Sequence, residues 1–246
     1  MDRTLVAAAV GVAILGSIAT LVLWAARVPR RWAPAYAIAR AAIQLTAIAF
    51  ILRGVISDAR WAGVAVAFMF TVAAVTCTRR LTFTWRRFAV VAGSMAAGVA
   101  VALSIAFGLG AIEWEPRYLL AFSGIVIGGT MAVSTLAGRH LLIGIHEKWE
   151  QVEGWLAIGG TPRQSTLAIA RESVAEALIP TLDQTRTTGL VTLPGTFVGA
   201  IMGGASTADA GRFQIMVLAA VLAAGAISAT LLVTALGPTS QRPERP

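Results

Sequence analysis

Residues 147–204 read EKWEQVEGWLAIGGTPRQSTLAIARESVAEALIPTLDQTRTTGLVTLPGTFVGAIMGG. The segment opens on a charged amphipathic stretch too polar to cross a bilayer and turns at Gly159-Gly160-Thr161-Pro162. It then climbs a second amphipathic stretch and enters an apolar span containing Pro194. In the first half Trp149, Val152, Trp155 and Leu156 recur at helical spacing on one face. Glu147, Lys148, Glu150, Gln151 and Glu153 take the rest of the circumference. Gly159 and Gly160 suit a helix stop, Thr161 is the expected N-cap of the next helix, and Pro162 fits its first turn. The element reads as helix, sharp turn, helix at a membrane surface.

In the second half Leu167, Ala170, Val174, Ala177 and Leu178 alternate by three and four, leaving Arg163, Arg171, Glu172 and Glu176 on other faces. Pro180 is expected to interrupt this helix. Thr181 stands three residues before Gln184, the spacing of a capping box, and Asp183 sits where a helix N-terminus favours negative charge. A membrane span is expected to restart there and run to about Gly204.

The surrounding chain is scaffold for this stretch. Apolar residues make up 57% and charged residues 13% of the 246, and apolar runs near the roughly 20 residues that cross a bilayer recur along it. The chain therefore reads as an integral, polytopic membrane protein. Its formal charge of +8 would suggest nucleic acid in a water-soluble domain. Here the arginines gather in short loops between apolar runs, the pattern of cytoplasmic membrane loops, so no nucleic-acid partner is expected. A lone cysteine, Cys77, permits neither an intramolecular disulfide nor a thiolate cage.

Seven spans are expected, at residues 4–26, 35–56, 61–78, 88–110, 118–142, about 183–204 and 213–235. Arginines at 27, 30 and 31, then at 79, 80, 86 and 87, mark cytoplasmic connections. Ser57-Asp58-Arg60 and the acidic 112–117 mark outer ones. The N-terminus is placed outside and the C-terminus inside, in a plasma or inner membrane. No basic leader precedes the first span, which argues against a cleaved signal. Residues 1–237 are expected to form one transmembrane domain with a cytoplasmic segment at 147–180, and residues 238–246 a disordered cytoplasmic tail. No internal repeat stands out.

The chain offers no glycine-rich loop followed by Lys-Ser or Lys-Thr, no HExxH and no GxSxG, so it is not expected to be an enzyme or to hold a nucleotide or cofactor itself. His140 and His146 are six apart, which does not suit a metal pair on one helix face. Arg40 and Gln44 lie four apart within the second span, where polar groups are costly unless they face protein or water. Snorkelling and helix-to-helix bonding are the plainer uses of that pair, and a transport pathway is the functional one. With no buried carboxylate pair and no engine of its own, the bundle carries one large docking element.

The segment Leu156-Ala157-Ile158-Gly159-Gly160-Thr161-Pro162-Arg163-Gln164 resembles the coupling-loop turn of ABC-transporter permeases. Arg40-Ala41-Ala42-Ile43-Gln44-Leu45, Ala177 to Thr185, Gly189 to Gly195, Gly203-Gly204-Ala205-Ser206 and Phe213 to Val217 together, in order, resemble the FetB-type permeases. These are membrane subunits of an iron-export ABC transporter, and plant aluminium-tolerance permeases are similar to them. Ile169 is followed by Ala170, Arg171 and Glu172, so the chain does not resemble the import permeases with a glutamate-alanine-alanine loop.

The resemblance implies a permease that exports a metal ion, iron, and pairs with a second copy. A separate ABC ATPase subunit would bind ATP and Mg. Coupling to that subunit would fall to Glu147, Trp149, Glu150, Glu153, Trp155, Gly159, Gly160, Thr161, Pro162 and Arg163. Arg40, Gln44, Asp183, Thr187, Thr192, Pro194, Gly195, Met202 and Gln214 would line the pathway or its hinge. The spans offer no residue cluster with metal-ligand spacing, so the metal-binding residues stay unassigned. Two other readings stay open at this point: a membrane anchor or sensor that only holds an ATPase, and an ion-driven secondary transporter of a small solute.

Overall fold

Backbone groups inside a bilayer must bond one another, which favours helices wherever the side chains are apolar. The computed structural model describes residues 3–55 and 59–243. The expected turn at Ser57-Asp58 and residues 244–246 of the expected tail lie outside the described residues. Among those described there are nine helices and no strand: α1 Arg3–Ala25, α2 Ala33–Val55, α3 Ala59–Arg80, α4 Trp85–Gly108, α5 Pro116–Glu147, α6 Trp149–Ala157, α7 Pro162–Thr187, α8 Gly195–Met202 and α9 Thr207–Leu236. The chain is all-α. Among the described residues five stretches are long and apolar enough to cross a membrane, Val6–Ala25, Arg60–Arg80, Trp85–Gly108, Pro116–Glu147 and Thr207–Leu236.

Two compact units divide the chain, Met1–Asp58 and Ala59–Pro246. In the first, α1 packs on α2, and Gly16 lies so close to Ile38 that an added Cβ would come within 3.1 Å of it. An apolar groove of about 1090 Å³ runs along this pair, lined by small residues such as Ala13, Gly16 and Ala39 with Trp24 and Trp32 at one end. Most of both helices is exposed.

In the second unit α5 is the central helix, with α3, α4, α7 and α9 packed around it. One apolar cluster joins α3, α4, α5 and α9 through Leu81, Met95, Phe122 and Leu232, with Phe107 edge-on to Phe122 at 5.8 Å. A second joins α5, α6, α7 and α9 through Leu141, Ile145, Val152, Ile169 and Ala229. Ser134 of α5 and Ser228 of α9 share a buried hydrogen bond of 2.7 Å, so each hydroxyl is satisfied across the seam. At Gly98 the backbone of α4 nearly touches that of α9, and a Cβ there would lie 2.4 Å from the carbonyl oxygen of Ala224.

Two sequence expectations are overturned. Pro180 does not end a helix: α7 runs through it to Thr187. A proline there removes the hydrogen bond to the Glu176 carbonyl, but both residues are on the exposed side while Ala177 and Leu178 pack inward. Core packing thus holds the helix across the defect. Thr181 and Gln184 accordingly form no cap, and the Thr181 carbonyl instead accepts from the Thr185 hydroxyl at 2.8 Å. The expected sixth span is also not one helix, because the chain breaks at residues 188–194 and resumes as the eight-residue α8.

The buried stripe of α7 differs from the one expected. Ser165, Thr166, Ile169, Ala170, Ser173 and Ala177 are buried, whereas Leu167 is 39% exposed. The hydroxyls of Ser165 and Thr166 donate to the Pro162 carbonyl and that of Ser173 to Ile169, which leaves only their small apolar bodies to pack.

Replacing Gly98 by alanine should lower the thermal midpoint of the purified protein, at a cost of about 1–3 kcal/mol for overpacking. Gly93→Ala, on the same helix with nothing near its would-be Cβ, should leave the midpoint unchanged or raise it.

Candidate functional site: the α6–α7 elbow and the break after α7

The elbow begins where α5 ends. Lys148 separates α5 from α6 and forms a 2.5 Å ion pair with Glu172 of α7, a surface contact worth under about 1 kcal/mol. Val152 is wholly buried, and Trp149 and Leu156 pack beside it against α5 and α7. Trp155, expected on that same face, is 52% exposed. At 3.6 residues per turn it lies roughly 60° round the helix from Val152, further from Trp149 and Leu156, so a nine-residue helix cannot bury all four.

The turn is specified locally. Gly159 adopts φ +87°, and the Gly160 amide donates to the Trp155 carbonyl at 2.8 Å. Thr161 caps α7 as expected: its hydroxyl accepts from the Gln164 amide while the Gln164 side chain accepts from the Thr161 amide at 2.8 Å. Pro162 occupies the first position of α7, and Arg163 is exposed beside it. Glu147 closes α5. Glu150, Glu153 and Trp155 lie on the open side of α6, joined by Ile158, which is 78% exposed. Ile158 was not among the expected residues, although an apolar side chain next to a glycine pair is its signal.

The second part of the site is the break. The Thr187 carbonyl accepts from the amides of Leu190, Val191 and Thr192, Gly189 turns at φ +86°, and its amide donates to the Thr192 carbonyl at 2.8 Å. Pro194 is the N-cap of α8, so it follows a break and is not a kink inside a span. Gly195 starts α8 and Met202 ends it, 86% exposed. Thr187 donates its hydroxyl to the Asp183 carbonyl at 2.8 Å, while Thr192 is exposed in the loop. Gln214 of α9 is buried and accepts a hydrogen bond from the Thr196 hydroxyl of α8, a link the sequence did not suggest. Asp183 lies in the last turn of α7, not at a helix start, and pairs with Arg186 at 3.6 Å.

Gly144 of α5 touches Ile169 of α7, and Ala177 and Leu178 share a cluster with Ala137 and Val133, so the two helices run antiparallel. Arg40 and Gln44 are exposed on α2, in the first unit.

Among the described residues no three His, Cys, Asp or Glu side chains gather as a metal site. His146 Nδ1 instead lies 2.9 Å from the Pro243 carbonyl oxygen, and Arg242 donates to the His146 carbonyl at 3.0 Å, so the described part of the tail contacts the end of α5.

A family profile described as "Uncharacterised protein family (UPF0014)" matches residues 6–239. The chain belongs to the UPF0014 family. It is 36% identical over 198 residues to "UPF0014 membrane protein STAR2" of Oryza sativa subsp. japonica, covering 80% of this chain and 70% of that one. To "Protein ALUMINUM SENSITIVE 3" of Arabidopsis thaliana it is 33% identical, over 78% of this chain and 71% of that protein. To "Probable iron export permease protein FetB" of Escherichia coli (strain K12) it is 29% identical, over 78% and 75% of the two chains. No solved structure matches. This UPF0014 chain is thus a multi-pass membrane protein.

Gly159→Ala and Thr161→Ala should loosen the turn, the first by forcing a side chain to positive φ and the second by removing a cap worth about 1 kcal/mol. Backbone amides of residues 158–164 should then exchange hydrogen faster, with exchange in α4 unchanged.

Proposed function

We propose that this UPF0014 protein is the membrane permease subunit of an ATP-driven exporter of a metal ion, with hydrolysis carried out by an ABC ATPase in a separate chain. The observation that carries this is the open side of α6. Glu150, Glu153, Trp155 and Ile158 present two carboxylates and two large apolar groups, while Val152 and the Lys148–Glu172 pair fix the helix to α5 and α7. A surface helix that is acidic and apolar outside and anchored inside has the chemistry of a docking element. A push on α6 passes into α7 and reaches the break at 188–194, where the chain leaves the helical conformation.

In this reading α7, the break and α8 together make one discontinuous crossing, which with α1–α5 and α9 gives seven. The N-terminus lies outside, and the C-terminus and α6 lie in the cytoplasm, matching the arginine-rich loops. Two permeases operate with two ATPase subunits, each elbow serving one, and ATP and Mg belong to the ATPase. Iron as cargo rests on the name of the Escherichia coli relative. Asp183, Thr192 and Met202 are exposed and would be the residues to meet a passing ion.

Reconstitution with the ATPase subunit tests this. The triple variant Glu150→Lys, Glu153→Lys, Trp155→Ala should insert normally and lose stimulation of ATP hydrolysis by about 30-fold, the effect of removing roughly 2 kcal/mol from an interface centre. Unchanged stimulation would refute docking at α6. ATP-dependent efflux of iron from inverted vesicles should accompany stimulation, and hydrolysis without any flux would favour a mere anchor.

A further inference from the structure

Gly129 of α5 lies against Val221 of α9, Gly225 of α9 lies against Val133, and Ser134 bonds Ser228, so α9 runs parallel to α5 and the two helices finish at the same end of the second unit. The Gly237 amide closes α9 on the Val233 carbonyl at 2.8 Å, and Pro238, which has no amide to continue the helix, ends it. Thr239 then turns the chain: its hydroxyl donates to the Gln241 carbonyl at 2.8 Å and accepts from the Gln241 amide at 3.2 Å. That turn sets Arg242 and Pro243 against the last turn of α5. The Arg242 guanidinium donates to the His146 carbonyl at 3.0 Å, one of the last four carbonyls that an α-helix leaves without an intrahelical donor. A cation is also favoured at that negative end of the helix dipole. His146 returns a donor of its own, since Nδ1 lies 2.9 Å from the Pro243 carbonyl oxygen, which can only accept, and Nδ1 therefore carries the proton.

The chain passes from α5 to α6 through Lys148 alone, at φ −96° and ψ 26°. The amides of Lys148, Gln151 and Val152 close this joint on the carbonyls of Gly144 and Lys148. In an unbroken helix the His146 carbonyl would take the amide of Glu150, four residues on. With Arg242 on it, the bend at Lys148 leaves that acceptor satisfied. We infer that residues 238–243 are a latch on the α5–α6 joint: closed, they hold the bend and so the setting of α6, and open, they free α6 to pivot at Lys148. The latch consists of two hydrogen bonds outside both apolar clusters, one of them made by the exposed Arg242. Such a contact opens far more readily than the core beneath it, which gives the joint two accessible states.

Hydrogen exchange in the purified protein tests this. Arg242→Ala removes an exposed side chain and should leave the thermal midpoint unchanged, yet speed exchange at the amides of Lys148, Gln151 and Val152 by about tenfold, the effect of losing one charged hydrogen bond. Exchange in α4 should not change. Glu147→Cys with Pro243→Cys keeps the His146 ring and carbonyl, the Arg242 side chain and the carbonyl of residue 243. A short bis-maleimide should link this pair within one chain and slow exchange at the joint by at least about threefold relative to the unlinked pair, because the open state is then closed off. Met202→Cys with Pro243→Cys should not link, since Met202 precedes the start of the 30-residue α9 and Pro243 follows its end. Unchanged exchange in Arg242→Ala, or no link between 147 and 243, would overturn the latch. Equal exchange in linked and unlinked protein would make residues 238–243 a fixed brace and overturn the switch. None of these readouts involves an ATPase, so failure of docking at α6 and failure of the latch are told apart.

Discussion

The close approach of α5 to its neighbours is the constraint on which the rest of this fold depends. In an apolar solvent there is little hydrophobic gain in bringing two helices together, so association relies on contact area and on hydrogen bonds between them. The second unit supplies both. Small residues let α4 and α9 meet backbone to backbone at Gly98, and the Ser134–Ser228 bond ties α5 to α9. With that seam fixed, α7 has a defined surface to lie on. Its Pro180 is tolerated because Ala177 and Leu178 already hold the inner side.

Two kinds of irregularity follow from this arrangement, and they differ in how they are supported. The elbow at 158–161 is overdetermined, with a positive-φ glycine, a capping box and a proline at the first helical position all favouring the same turn. The break at 188–194 is closed mainly by one carbonyl, that of Thr187, and leaves Leu190, Val191 and Leu193 exposed. A stiff element thus leads, through a helix packed along much of its length, to a soft one. In the proposed permease this ordering suits transmission of a displacement from the water phase into the bilayer, since the compliant part lies where the pathway must change.

Much of this was readable from residue order alone. Apolar runs located the long helices to within a few residues, because length and composition are what a bilayer selects. Thr161, Pro162 and Gly159 announced the elbow, since caps act through neighbours in sequence. What failed was decided at longer range. The buried stripe of α7 includes Ser165, Thr166 and Ser173, whose hydroxyls are quenched by their own backbone and therefore pack as small apolar groups, which a polarity pattern cannot reveal. Pro180 looked like a stop because its cost is local while its compensation comes from α5 and α9. The span expected to restart near Asp183 is instead the end of α7, which runs to Thr187 before the turn at Gly189. The family resemblance pointed to the right relatives, whereas the Thr196–Gln214 link joins residues that gave no joint signal.

The length of α5 has a further consequence. Its 32 residues span about 48 Å, against roughly 30 Å of hydrocarbon, so in the proposed permease the helix would overshoot the apolar layer and carry α6 with it. In that reading the elbow is mounted on a pedestal and does not lie flat among the headgroups. That stand-off leaves clearance beneath it, and a bulky water-soluble subunit could grip α6 without pressing into lipid.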